Sequence, residues 1–204
     1  MIIENGGNIA YKAEVTSHKR VRIEHSDSSY FATQNKESFI LNLEVTPTGD
    51  PLVTPSDPSK ENPSAYYDNN PFCYIKNTSD KDLVVTKTSV YLIADNIIIL
   101  RKNPLGDPDT NSVTDITPVN LNFDGSDSAT GDFYYGENIT GLGESEEIGE
   151  GEIVKRWHIN DDDGETDLTF DGNLILRTGD VLAYHIENPD SKVEMSVEFF
   201  YKNI

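Results

Sequence analysis

The residues whose types and spacing could do chemistry are carboxylates. Asn160-Asp-Asp-Asp-Gly-Glu-Thr-Asp167 sets hard oxygens close together, which is what a calcium ion requires. With Gly164 at the sixth position of an EF-hand loop, the first ligand position falls on Ile159 and the twelfth on Phe170. Neither ligates through its side chain, so that loop type is excluded. The reading carried forward is an acidic hairpin turn centred on Asp163-Gly164, because an Asp-Gly pair supplies the positive backbone angle of a tight turn; a calcium site of another kind is the alternative. His18, His25, His158 and His185 are too scattered for zinc, which favours close pairs or clusters with cysteine. No serine stands in a G-x-S-x-G context, and Gly141-Leu-Gly143 neither follows a convincing strand nor opens a helix, so no phosphate cradle is formed. Acidic residues are so abundant that some pair will lie close in space, and a glycosidase cannot be read from that alone. The sequence therefore assigns no catalytic, cofactor or metal residues, and the chain is expected not to be an enzyme.

What remains is chemistry of contact. His18-Lys-Arg-Val-Arg22 concentrates scarce positive charge, either to dock on an acidic neighbouring surface or to deter aggregation at a strand edge. Tyr66-Tyr67 and Tyr134-Tyr135 fall in loops, where they stack on sugars, pack at a subunit interface or lie back over the core.

Composition narrows the partners. With 36 acidic against 16 basic side chains the net charge is −20, which repels phosphate backbones and anionic headgroups. Neither nucleic acid nor membrane is expected. The single cysteine, Cys73, sits between Phe72 and Tyr74 and reads as a buried structural thiol with no intrachain disulfide. The N-terminus lacks a basic head followed by an apolar run, and no stretch approaches the roughly 18 apolar residues of a spanning helix. Synthesis in a cytoplasm without export or membrane anchoring is the expectation. Asn77-Thr-Ser79 and Asn138-Ile-Thr140 match the glycosylation pattern, and without a secretory signal they read as chance matches.

The elements that must position these groups read as strands. Ile9–Val15 and Lys19–Glu24 are short β-like runs that open the fold, and Phe39, Leu41, Leu43 and Val45 alternate onto one side of a longer one. From Thr46 to Pro71 the texture changes, with six of the ten prolines among Ser, Asp, Asn and Thr. Proline lacks an amide donor and fixes its own φ, so this stretch joins neither a central ladder nor a helix and reads as an extended arm. Phe72–Asn77 and Leu83–Ile93 are strands joined through Thr78–Lys81 as a hairpin, and Ile97–Arg101 matches a strand covered on both faces. Residues 103–151 read as long loops and short edge strands at one end of the fold. At the C-terminus, Asn173–Arg177, Val181–Glu187 and Val193–Tyr201 are strands separated by turns at Thr178-Gly179-Asp180 and Asn188-Pro189-Asp190. Val193, Met195, Val197, Phe199 and Tyr201 form an inward row while Glu194, Ser196 and Glu198 stay wet.

Ile75-Lys-Asn-Thr78 before the Leu83-Val-Val strand, Leu100-Arg-Lys-Asn-Pro104, Thr117-Pro-Val-Asn-Leu-Asn122, an acidic-glycine stretch and Gly172-Asn-Leu-Ile-Leu-Arg-Thr-Gly-Asp-Val-Leu-Ala183 together resemble virion structural proteins of tailed bacteriophages. The likeness spans about residues 8 to 203. It implies a head decoration or cement protein on the outer capsid surface, a homotrimer bridging major capsid proteins. The Pro-rich stretch and the Asp161–Asp163 turn depart from that pattern. The fold expected is all-β, an antiparallel, jelly-roll-like β-sandwich forming one domain over 1–204, with 46–71 as its arm. The candidate contacts are the arm and the loops around Thr117–Tyr135; a receptor- or glycan-binding module of a tail fibre or spike is the alternative.

Overall fold

The computed structural model describes residues 2–5, 9–15, 21–24, 37–48, 71–104, 106–122, 127–142, 148, 151–160 and 164–203. Among them the fold is all-β. Three strands near the N-terminus, β1 (Ile2–Asn5), β2 (Ile9–Val15) and β3 (Val21–Glu24), pair antiparallel with one another in a sheet of their own. The runs at Ile9–Val15 and Lys19–Glu24 were legible; the strand that completes them, β1, was not.

The remaining strands are β4 (Ser38–Val45), β5 (Cys73–Lys76), β6 (Asp82–Leu92), β7 (Asn96–Lys102), β8 (Thr114–Asp115), β9 (Val119–Asn120), β10 (Asp132–Tyr135), β11 (Glu152–Ile159), β12 (Thr166–Leu176), β13 (Val181–Ile186) and β14 (Val193–Lys202). They form two antiparallel sheets, a five-stranded one ordered β12-β6-β14-β4-β9 and a six-stranded one ordered β11-β7-β13-β5-β10-β8. The architecture is that of a β-sandwich. With the short strands β8, β9 and β10 set aside, each connection carries the chain from one sheet to the other, except the one from β7 to β11, which are neighbours in the same sheet.

That alternation corrects two sequence readings. β5 and β6 are not a hairpin: β5 pairs with β10 and β13, and β6 with β12 and β14. The turn between them crosses the sandwich and is held by Asn77, fully buried, whose amide donates to the carbonyls of Lys81 and Leu176, each at 2.8 Å. Its carboxamide oxygen accepts from the amide and hydroxyl of Ser79. An asparagine spent in this way offers no nitrogen to a glycan. Likewise β11 and β12 do not form a hairpin around Asp163-Gly164, because β11 pairs with β7 and β12 with β6. Asp161–Asp163 lie outside the described residues, and Gly164 has the positive φ, 67°, that the sequence anticipated.

The core lies between the sheets and is built by period-two rows. Phe39, Leu41, Leu43 and Val45 of β4 are all buried, as are Val193, Met195, Val197, Phe199 and Tyr201 of β14. Phe199 stacks between Phe39, at 5.6 Å, and Phe133, at 5.4 Å, with Tyr201 edge-on at 5.9 Å. Phe133 belongs to β10 of the opposite sheet, so this stack joins the two layers; each such aromatic pair contributes about 0.5–1.5 kcal/mol beyond its burial. A polar bridge joins them as well, for the hydroxyls of Thr88 on β6 and Tyr184 on β13 lie 2.7 Å apart with both residues fully buried.

The two outer faces differ. On the six-stranded sheet Tyr74, Ile99, Val181 and Ala183 are buried as well, and Ile139 and Ile148 from the long connection pack on Tyr74 and Val181. This explains why β7 reads as an apolar run, as expected, and why all six residues of β13 are buried. The outer face of the five-stranded sheet instead leaves Asn42, Glu44, Tyr91 and Glu194 exposed. Cys73 is fully buried, and burial pushes its thiol pKa well above the ordinary range.

Candidate functional site

The chain leaves β4 at Val45 and returns at Pro71, and the ends of this excursion are fastened to one another through residues 136–139. Thr48 donates its amide to the carbonyl of Glu137 at 2.7 Å, Ile139 donates to Pro71 at 3.1 Å and Gly136 to Phe72 at 3.1 Å. On the outer side Asp190 donates to Pro47 at 2.7 Å. Gly136 is demanded by this closeness, because a Cβ there would stand 2.4 Å from the carbonyl oxygen of Ser112. Ser112 belongs to a turn organised by Asp109, whose carboxylate accepts from the backbone and side-chain amides of Asn111 at 3.0 and 2.9 Å. The Ser112 hydroxyl donates to the Asp109 carbonyl and accepts from the amide of Thr140. Between these pieces lies an open cleft of about 630 Å³ lined by Thr46, Thr48, Asn111, Tyr135, Glu137 and Asn138. Hydroxyls, amides, one ring and the carboxylates of Glu44 and Glu137 make this a hydrogen-bonding surface. Residues 49–70, most of the stretch expected to form an arm, lie outside the described residues.

The second surface is the outer face of the five-stranded sheet, a concavity of about 950 Å³. Strand register lays its side chains out in rows. Tyr91, Glu194 and Glu44 lie side by side across β6, β14 and β4, and the next row runs Asp167, Ser89, Ser196, Asn42 from β12 to β4. Beyond it Lys87 faces Glu198. Like charges directly opposite repel, and Lys192 offsets the Glu194–Glu44 pair by reaching both carboxylates, at 2.8 and 2.9 Å. Those contacts raise the Lys192 pKa above its usual range. Asp167 accepts from the Ser89 hydroxyl at 2.6 Å and meets Lys87 at 2.9 Å. The hydroxyl first and the ammonium second hold its carboxyl below the usual carboxylate value.

The expected contact segments turn out to be split. Val119 and Leu121, both exposed, sit beside the start of β4, where Val119 pairs with Ile40 and Leu121 donates to Ser38. Thr130 joins them at that end, its amide and carbonyl bonded to the Tyr201 hydroxyl. Thr46–Thr48, where the Pro-rich stretch begins, follow the other end of β4, about 17–24 Å along the strand from these contacts. Of the Thr117–Tyr135 segment, Tyr135 reaches the arm end, since β10 runs back to pair Tyr135 with Cys73. Tyr134 and Tyr135 are half-buried and lie back over the fold, Tyr134 stacked 6.2 Å from Tyr74 and Tyr135 packed against the core.

His158 is exposed on β11 and His185 is buried on β13, in different strands with no carboxylate or cysteine cluster of metal-binding size among the described residues. His18, His25, Lys19, Arg20, Tyr66 and Tyr67 lie outside the described residues. The acidic sheet face was missed from sequence. The signal was there, in the outward positions Glu44, Glu194 and Glu198 of two well-patterned strands, but their convergence depends on a register that the sequence does not state. No protein-family model, curated protein or solved structure matches the chain.

Proposed function

We propose that the chain is a non-catalytic virion structural protein, a capsid decoration or cement protein of a tailed bacteriophage, seated on the outside of the head and bridging major capsid proteins as a homotrimer. The observation that carries this reading is the strand order. Numbered one to eight in chain order, β4, β5, β6, β7, β11, β12, β13 and β14 run 1-8-3-6 in one sheet and 2-7-4-5 in the other. That order supports a jelly-roll reading, a double-sheet architecture frequent in viral capsid domains and in lectins. Fold alone does not fix function, so the reading leans also on the phage-like phrases of the sequence and on the separation of the contact segments. Surfaces at opposite ends of a rigid sandwich suit a protein that spans two neighbours, and repetition of weak sites over a shell converts modest contacts into firm attachment. The arm, with Lys60 within it, is the proposed grip. Trypsin cleavage after Lys60 is expected to slow markedly when the protein is mixed with heads that lack it, and equal cleavage in both states refutes the arm contact.

A glycan-binding module of a tail fibre or spike is the second reading, favoured by the arm-end cleft, where Tyr135 and Glu137 stand among hydroxyls and amides. Jelly rolls serve lectins too. A glycan array that stays blank while the same protein saturates heads decides for decoration, and the reverse pattern decides for the glycan.

A further inference from the structure

The sandwich carries opposite charges on two adjoining sides. The outer face of the five-stranded sheet bears Glu44, Glu165, Asp167, Glu194 and Glu198 against Lys87 and Lys192, which leaves 2 − 5 = −3. Both lysines are already engaged within the face, so among the described residues its excess is unanswered. The edge of the six-stranded sheet that is free among the described residues is the reverse. β11 pairs on one side with β7, and its outer run Ile153-Val-Lys-Arg156, followed by His158, is exposed. Lys155 and Arg156 make no ion pair within the described residues, in a chain that has few cations to place. Ile153 is 43% and Val154 38% exposed, adjacent apolar side chains beside an unpaired ladder. Soluble monomers blunt such edges, and the β-bulge between Ile153 and Lys155 goes only part of the way.

We propose that a second copy of this chain occupies the acidic face, with the basic β11 edge of one copy laid across the five-stranded sheet of the next. Charge complementarity selects this occupant: the face wants cations on an extended element, and β11 supplies Lys155 and Arg156 against a single Glu152, a net 2 − 1 = +1. The contact joins unlike patches, so it repeats from copy to copy. Because edge and face are adjoining sides of the sandwich and not opposite ones, repetition turns rather than extending a straight filament, and a rotation that closes makes a ring. This deepens the trimer of the proposed function by naming its surfaces, and its test needs no particle.

The test is the mass of the purified full chain by light scattering, at low ionic strength and at about 1 M salt, where the screening length is ~3 Å. Wild type is expected to form a discrete oligomer that falls to monomer in high salt. Lys155→Glu with Arg156→Glu, and separately Glu165→Lys with Glu198→Lys, are each expected to give monomer; the second pair spares the carboxylates held by Lys192. All four changes in one chain reverse both surfaces and are expected to restore the wild-type mass. Circular dichroism checks folding, and if a reversed variant fails to fold, Lys155→Gln with Arg156→Gln is expected to weaken association at least about tenfold, about 1.4 kcal/mol. A wild type that is monomeric at low salt, a reversal that leaves the oligomer intact, or a folded four-fold variant that stays monomeric each overturns the proposal. A monomer that binds a lysine-rich peptide on this face overturns it as well. A monomer that still saturates heads refutes this contact and spares the decoration reading, while an oligomer that ignores heads does the opposite.

Discussion

Replacing Tyr184 with Phe removes one end of the hydroxyl bridge that crosses the core and strands the other. Thr88 and Tyr184 are both fully buried and meet at 2.7 Å, so neither hydroxyl has water to turn to when its partner is lost. An orphaned buried hydroxyl costs about 1–3 kcal/mol. Tyr184→Phe should therefore destabilise by about that amount, and Thr88→Val, which orphans the tyrosine instead, by a similar amount. With both changes together no orphan remains, and two apolar groups of matching shape are close to neutral. The double variant is thus expected to be less destabilised than either single one, with a coupling close to the sum of the two single costs, about 2–6 kcal/mol. In a chain of this length 1 kcal/mol shifts Tm by about 2–4 °C, which makes the single variants easily resolved. Urea unfolding followed by the fluorescence of Trp157, the sole tryptophan and a core residue, reads all four corners of the cycle. Additivity within about 0.5 kcal/mol would show that the two hydroxyls do not depend on each other.

Gly136→Ala should break the ladder that fastens Thr48 and Pro71, because backbone is what its Cβ would meet; amide exchange at Ile139 and Thr48 is expected to speed up while that of β14 stays slow. Asp180 is raised by burial but lowered by more than that through the Arg177 amide, Lys102 and Asn103, so its carboxyl lies below the ordinary value. Its contribution is complete above the unfolded carboxylate pKa of about 3.9 and is lost as pH falls through the lower folded value. Asp180→Asn should accordingly flatten the loss of stability below about pH 4, read by acid titration of the urea midpoint. At the alkaline end burial pushes Tyr201 up to about 12, the bond from the Thr130 amide offsetting part of it. The unfolded chain then ionises first, near 10, so stability should decline as pH rises from about 10 to about 12, and less steeply in Tyr201→Phe.

How much of this was legible in the sequence depends on where water sits. β4 and β14 face the core on one side and solvent on the other, so their alternation shows plainly at Phe39–Val45 and Val193–Tyr201. β13 is buried on both faces and has no alternation to show. Sheet membership was the harder matter. A turn such as Thr78–Lys81 has the same polar chemistry whether the chain folds back beside its own strand or crosses to the other layer, and what fixes the crossing is the long-range bond from Asn77 to Leu176. Strand direction likewise decides at which end a loop emerges, which is why the sequence groups the Pro-rich stretch with Val119–Leu121 although its described ends, Thr46–Thr48 and Pro71, lie at the other end of β4. β12 shows a third limit. Only Asn173–Arg177 was read as strand, because Asp171 and Gly172, with φ of 48° and 75°, punctuate a strand that begins at Thr166.

The claim that this chain acts by sitting on a larger assembly is tested most directly by adding the purified protein to heads that lack it and reconstructing the particles. Saturable binding at symmetry-related positions over the junctions between capsid subunits, with the arm and the Val119–Leu121 end on different neighbours, is the predicted result. Heads that remain bare at saturating protein, or density confined to the tail, would contradict it.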